Sequence, residues 1–587
     1  MIQVEELEVL VVLVNSLKNK MKEEIIKKIE EFLKEKGVQN PKVKLAPSDY
    51  SKFSADYSTN VAMVYAKLLN IKPSDLAIEI RQSIESPSLG RVQSSNIDGF
   101  INFFFDKKYF GDNVSKIIEE GGRFGKNENL KGQKTIIEYT VCNVLKPMHI
   151  GHLMGNVIGE SLSRIIEAEG AEVKRNNYQG DSGLHIAKAV WGIIKSGGKI
   201  EGSLSEKTKY IGDAYALGSN SYDDDENAQK EIKELNEKIF KKEDENLNDI
   251  YKWGRQVSLD HFEELYKKLG TKFDYYFFES EVADSALTIV REFLLKGVFE
   301  ESDGAVVFKG EKYDPKLHTR VFISSQGIPM YEAKDIAHAL RKYETYKFDK
   351  SIIVTANEQS QYFKVVLRAL KEVNPEIAVK TEHLAHGILK LPTGKMSSRK
   401  GNTITGETLI NDVEEMVREK IKDSEFSESE KDNIAELVAI GAIKYSILHQ
   451  AIGGDIVFDF DKSISFEGDS GPYLQYSAVR ANSILKKAEG VVSVSKNIPD
   501  SWETTNLERI LERFPDIVAR AGSEYAPHYI ATYLVELAGE FNSFYASHKI
   551  IDEGNITSPY RLTLTQAFYQ VMLSGLNLLG IKVPEKM

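Results

Sequence analysis

Residues 135–153 read TIIEYTVCNVLKPMHIGHL, and the fold turns on how this stretch divides. Thr135 to Val141 is a β-branched, apolar run bounded by Lys134 and by the polar Asn143–Pro147 loop, which predicts a strand. From about Gly151, Val157, Leu162, Ile165 and Ile166 recur at helical spacing up to Gly170. Pro147 stands just ahead of that helix, where its missing N–H costs nothing. Ala171 to Tyr178 reads as a second strand, and Gly180-Asp181-Ser182-Gly183 as the turn into a helix running past Trp191. Strand, helix, strand, helix predicts a parallel sheet.

His149-Ile150-Gly151-His152 falls at the first strand–helix junction. Unpaired backbone N–H groups and the helix dipole favour phosphate oxygens there. Two imidazoles about one turn apart can hydrogen-bond a triphosphate as charge builds on it. Far downstream, Gly394-Lys395-Met396-Ser397-Ser398-Arg399-Lys400-Gly401-Asn402 sets three cations and two hydroxyls in a glycine-flanked loop. Alone, such a loop reads as solvated surface. Paired with the histidines, it reads as a clamp on a polyphosphate leaving group.

Working outward, the first hundred residues predict a separate α/β unit. Lys22 to Glu35 puts Ile25, Ile26, Ile29, Phe32 and Leu33 on one helical face. A second helix after Asp56-Tyr57-Ser58-Thr59-Asn60 is expected to turn Val61, Val64, Leu68 and Leu69 inward, and Phe100 to Phe105 predicts a strand. Residues 195–285 change character: Asp223 to Asp249 holds 11 acidic and 5 basic residues, as in a solvated helical insertion. The α/β pattern resumes near Val306 and gives way to helices after Gly406. The expected division is 1–125, an N-terminal α/β domain; 126–405, a Rossmann-like catalytic domain with 195–285 inserted; 406–455, a helical connector; and 456–587, a helical domain.

The whole chain of 587 residues carries 76 Lys plus Arg against 88 Asp plus Glu, a net charge of −12. That excludes gripping nucleic acid by bulk positive charge, and leaves room for RNA read through a few placed residues. The single cysteine, Cys142, excludes internal disulfides and zinc sites built on paired thiolates, and suits a reducing cytoplasm. The apolar run Val9 to Val14 lacks a basic flank and is too short to span a bilayer, so neither signal peptide nor membrane anchor is expected.

The two phosphate motifs resemble the paired HIGH and KMSKS signatures of class I aminoacyl-tRNA synthetases. The stretch from Glu138 through Asn143, Lys146, His149 and His152 to Leu153 is similar to the extended first signature of the arginyl-tRNA synthetase family. So are Tyr178-Gln-Gly-Asp181-Ser-Gly-Leu, Tyr331-Glu-Ala-Lys-Asp335-Ile-Ala, Ala356-Asn-Glu-Gln359-Ser and Gly471-Pro-Tyr-Leu-Gln-Tyr476. One departure stands out: the second lysine of the usual KMSKS spelling would fall at Ser398, and the chain has Lys400 instead. Which of Lys395, Lys400 and Lys146 gives the dominant phosphate contact stays open.

The resemblance implies an ATP-dependent arginine–tRNA ligase with a Rossmann-like parallel-sheet core, a helical insertion, an N-terminal α/β domain and a C-terminal all-α anticodon-binding domain. It implies His149, His152, Lys395, Lys400 and Lys146 as catalytic groups. ATP would lie on His149, Gly151, His152, Lys395, Met396, Ser397, Ser398 and Lys400. Arginine would be held by Glu138, Asn143, Tyr331, Asp335, Gln359 and His149, with Asp335 and Glu138 as its carboxylates. A planar guanidinium is best held by carboxylates in bidentate geometry, which agrees with that assignment. Asp335 also fits a bland reading as a helix N-cap. Implied partners are arginine tRNA, L-arginine and ATP with Mg²⁺; no zinc or other bound metal, no membrane and a monomeric state are expected. Tyr57, Asn60, Tyr476 and Tyr529 are the expected tRNA contacts. The family further implies that arginine activation waits for bound tRNA. Two other classes fit less well: a small-molecule nucleotidyltransferase, which needs no helical tail of this length, and a non-catalytic RNA-binding paralogue, against which the intact His149, His152, Lys395 and Lys400 argue.

Overall fold

In the first 120 residues, strands β1 (Ala46–Pro47), β2 (Tyr57–Thr59), β3 (Arg91–Ser94) and β4 (Ile101–Phe104) form an antiparallel sheet in the order β1-β2-β4-β3. The computed structural model describes residues 20–48, 55–84, 91–94, 99–391 and 405–587. The helix Lys20–Glu35 buries Ile25, Ile29 and Leu33 completely, one residue per turn on the expected face. The helix Val61–Leu69 departs from expectation. Val61 is buried as expected and Leu69 packs half-buried on the core, but Val64 and Leu68 are 58% and 67% exposed, with Ala62 and Ala66 buried in their place. A nine-residue helix reaches the core with one stripe, and the two alanines let that stripe approach closely. Residues 487–513 and 544–567 belong to the same compact unit. Within it Glu512 takes Lys22 at 2.8 Å and Tyr57 Oη at 2.5 Å, and Arg509 meets Asp56 at 2.8 Å.

The second unit comprises 121–486, 514–543 and 568–587, so the C-terminal helical segment contributes to both units. Its centre is a parallel sheet of β5 (Lys134–Glu138), β6 (Glu172–Gln179), β7 (Tyr275–Phe278), β11 (Lys350–Ala356) and β12 (Thr381–His386), in the order β12-β11-β5-β6-β7. Between β7 and β11, strands β8 (Glu300–Ser302), β9 (Ala305–Lys309) and β10 (Thr319–Ile323) form a small antiparallel sheet. The insertion is helical over Leu204–Asp224, Glu226–Lys241 and Glu245–Leu269. Gly192 packs against the Ala214 carbonyl and Gly218 against the Lys188 carbonyl, so a side chain at either would drive two helices apart. β7 lies inside the range read as insertion, yet it completes the core sheet.

β5 stops at Glu138, short of the expected Val141, because Thr140 and Val141 adopt φ of 76° and 50°, and Leu145 follows at 56°. Such conformations cost about 1–3 kcal/mol per residue and persist only where neighbours over-determine them. Here Asn156 Nδ2 donates to Thr140 Oγ1 at 2.9 Å, Val144 N–H to the Gly180 carbonyl at 3.0 Å, and Leu145 N–H to Ser258 Oγ at 2.9 Å. The helix Ile150–Ala168 lies tight on this loop, since Gly159 faces the Tyr139 ring where any Cβ would collide. Among the described residues no helix is long and apolar enough to cross a membrane.

Candidate active site

β5 pairs with β6 on one side and β11 on the other, and the chain leaves these neighbours in opposite directions. The crevice at the carboxyl ends of such strands is where open α/β sheets bind ligands. Glu138 ends β5, Gln179 ends β6, and the turn Asn357–Gln359 follows β11, so three of the implied segments converge on this edge.

His149 is the N-cap of the helix Ile150–Ala168. Its Nδ1 accepts from Gly151 N–H at 3.0 Å, while its own backbone N–H donates to His152 Nδ1 at 3.0 Å. A ring nitrogen that accepts carries no proton, so each neutral imidazole bears its proton on Nε2. Burial lowers the His149 pKa, and the nearby Lys146 adds to this. His152 falls to about 3 through burial, with His149, Lys146 and His386 contributing. The pair therefore presents neutral Nε2–H donors rather than imidazolium charge.

The acids form a second cluster. Glu138 Oε2 accepts from Asn176 Nδ2 at 2.7 Å and Lys342 Nζ at 2.9 Å, and lies 2.7 Å from His338 Nε2. Burial alone would raise the Glu138 pKa, but Lys342 and His338 outweigh it and hold the carboxyl well below its usual range. Glu279 pairs with Lys334 and accepts from Ser182 Oγ at 3.0 Å. Glu332 pairs with Arg320 at 3.1 Å, and Asp181 with Arg255 at 3.1 Å. Asp335 differs. It accepts from the Tyr362 hydroxyl at 2.6 Å and has no cation within ion-pair distance among the described residues. Burial pushes its pKa up to about 8, with Glu138, Glu279 and Glu332 adding to the rise. Five carboxylates thus share four cations.

Asp335 lies inside the helix Tyr331–Thr345, which removes its reading as an N-cap. Tyr331 opens that helix, is 45% exposed and lies under Lys334 Nζ at 4.6 Å from its ring centroid. Asn143 bridges to Gly180, and its Oδ1 fills the space a Cβ at Gly180 would need, beside Glu279. Gln359 is exposed on its turn, and Lys146 lies over the Tyr215 ring at 5.4 Å. Lys395, Met396, Ser397, Ser398 and Lys400 lie outside the described residues. The described chain resumes at Thr405, whose backbone bridges to His149, and Gly406 N–H donates to the Met148 carbonyl at 2.8 Å.

Of the expected tRNA contacts, Tyr57 is 3% exposed with its hydroxyl committed to Glu512 and Lys22, so it is a core residue not presented to RNA. Asn60 is exposed at the start of its helix, with no side-chain cap bond. Tyr476 is half-buried with Arg480 4.7 Å from its ring, and Tyr529 carries Arg520 at 3.9 Å. Phe541 and Phe544, further along the helix that carries Tyr529, are buried.

Sequence reading missed Glu279, His338 and Lys342. The signal was present: Tyr331, Lys334, Asp335, His338 and Lys342 recur at helical spacing. A polar stripe of this kind reads as solvated, and only the sheet against it makes it a buried site.

Comparison with known proteins places three family domains along the chain. Residues 113–460 match the family model described as tRNA synthetases class I (R), catalytic domain. Residues 18–105 match the arginyl tRNA synthetase N terminal domain, and 474–587 the DALR anticodon binding domain. The chain is 33% identical over 534 residues to an arginine–tRNA ligase of Clostridium perfringens, covering 89% of this chain and 92% of that protein. It is 30% identical to one of Borrelia turicatae, over 98% of this chain and all of the relative. Its fold matches the Thermus thermophilus arginyl-tRNA synthetase structure with a TM-score of 0.78 at 24% identity, over 97% of this chain and 100% of that one.

Proposed function

The chain belongs to the class I arginyl-tRNA synthetases, and from that membership we propose how its own side chains carry the reaction. The enzyme ligates L-arginine to its tRNA in translation, using ATP. The observation that carries the residue assignment is the acid without a cation: Asp335, pushed up to about 8, is the group that gains most from an arriving guanidinium. Asp335 takes the guanidinium in bidentate fashion, with Glu279 beside it. Glu138, already neutralised by Lys342, shapes the pocket rather than supplying its free charge. Tyr331 flanks the side chain, and Asn143 and Gln359 orient the α-amino end.

The arginine carboxylate oxygen then attacks the α-phosphorus of ATP in line. The bond to the β-phosphate bridging oxygen breaks, pyrophosphate leaves with that electron pair, and arginyl-adenylate forms. A ribose hydroxyl of the tRNA's terminal adenosine next attacks the acyl carbon, and AMP leaves. Little acid–base chemistry is needed, and positioning with charge stabilisation supplies most of the rate. His149 and His152 donate Nε2–H to phosphate oxygens, Lys146 adds charge beside them, and Lys395 and Lys400 close on the leaving group. Among the described residues no three His, Cys, Asp or Glu side chains gather into a metal cage. Mg²⁺ would arrive with ATP and neutralise charge on its phosphates. The single cysteine suits a reducing cytoplasm, where the enzyme acts as a monomer.

Pyrophosphate exchange tests this directly. Exchange is expected with arginine and only when arginine tRNA is present. Exchange driven by lysine would overturn the substrate pocket, and exchange without tRNA would overturn the coupling.

A further inference from the structure

Tyr178 follows Asn176 by two residues on β6, so strand alternation sends both side chains to the sheet face covered by the helix Tyr331–Thr345. Its ring stacks on His338, centroids 3.9 Å apart and planes 6° from parallel. Tyr178 is 5% exposed, and among the described residues its buried hydroxyl has no hydrogen-bond partner. Asn176 Oδ1 and His338 Nδ1, beside it, are also unpartnered. A buried polar atom left without a partner is costly, so this unsatisfied hydroxyl calls for one.

The surroundings say what kind. The charges of Glu279, Asp335, Glu138 and Asp181 all act on the hydroxyl after burial itself, and keep it protonated. Yet no carboxylate stands within hydrogen-bond distance of it. Asp335, which has no cation partner among the described residues, is one of the acids whose charge reaches the phenol, so the two groups share a setting rich in acceptors. An ammonium places all its donors at one point. A guanidinium spreads five donors over a plane, so it can satisfy a carboxylate along one edge and still offer an N–H elsewhere.

We infer that Tyr178 is a specificity-determining residue for arginine, its hydroxyl oxygen accepting an N–H from the guanidinium that Asp335 holds. This deepens the arginine assignment above and rests on it. No apolar or singly branched side chain would satisfy both acceptors.

The test compares Tyr178→Phe with the wild-type enzyme in tRNA charging. Phe keeps the ring on His338, so the fold survives. The KM for arginine is expected to rise about tenfold or more, as for a lost hydrogen bond to a charged group, with kcat and the KM values for ATP and tRNA within about twofold. Adding Asp335→Asn to Tyr178→Phe should cost less than the product of the single losses, because both hold one guanidinium. An unchanged arginine KM would overturn the inference, as would strictly multiplicative losses. Parallel loss of all constants together with a lowered Tm would make Tyr178 merely structural and overturn it too. Failure of the wild-type enzyme to charge arginine would instead strike the parent assignment.

Discussion

Glu138 and Lys342 form a buried ion pair, carboxylate oxygen to ammonium at 2.9 Å, with Lys342 wholly excluded from solvent. The pair divides the acids at this sheet edge into one whose charge is already answered and one, Asp335, that has no cation partner among the described residues. It also makes the free enzyme's stability depend on a contact that substrate does not supply.

Lys342→Met leaves Glu138 as an uncompensated buried carboxylate, and should destabilise the fold by about 3–5 kcal/mol. Because the Glu138 pKa is depressed in the folded state, its contribution is present above about pH 4.5 and is lost as pH falls. Urea unfolding of the single variant and of Glu138→Gln/Lys342→Met checks this, with the double variant recovering much of the loss. Equal stability of wild type and Lys342→Met would remove the pair from the account.

Asp335 holds its proton up to about pH 8 in the free enzyme, and a guanidinium binds the ionised form. Its folded pKa is raised, so in the free enzyme this group's contribution to stability declines as pH rises from about 4 to 8. Arginine binding should tighten over the same rise, which titration calorimetry at about pH 6.5 and 8.5 would register together with proton release. Asp335→Asn should abolish the pH effect and raise the arginine KM far more than the ATP KM. Equal effects on the two substrates would make Asp335 structural.

His152 is neutral throughout the working range, with a pKa near 3. His152→Ala should lower kcat by about 10²–10³, as for one lost donor to developing charge. The wild-type rate profile should show no limb from His152 between about pH 6 and 8. A limb there that disappears in His152→Ala would mean that imidazolium charge does the work.

Lys444, 1% exposed, donates to the Leu269 carbonyl at 2.6 Å and the Gly580 carbonyl at 2.5 Å. Burial brings its pKa down to about 7, with Arg164 and Lys582 adding to the fall and Glu160 opposing it. Above that pH the folded state releases a proton that the unfolded chain keeps to about 10.4, so stability from this group rises with pH over that window. Lys444→Met should flatten the rise, measured as the urea midpoint at about pH 7 and 9. An identical slope in both proteins would exclude Lys444 as its source.

The sequence by itself determined the class of fold and the position of His149 and His152 at a strand–helix junction. Strand and helix periods, Pro147 and the HIGH stretch are local signals, since neighbouring residues set backbone conformation and a helix N-terminus binds anions wherever it forms. It also read the face of the helix Lys20–Glu35, though not that of Val61–Leu69, where two alanines rather than Val64 and Leu68 meet the core. Only the tertiary structure decided which acid is left without a cation. Glu138 and Lys342 stand 204 residues apart, and Asp335 lacks a cation only because folding assigns Lys342, Lys334, Arg320 and Arg255 to other carboxylates. Pairing of buried charges depends on distance in space and on exclusion of water, and neither is written in the order of residues along the chain.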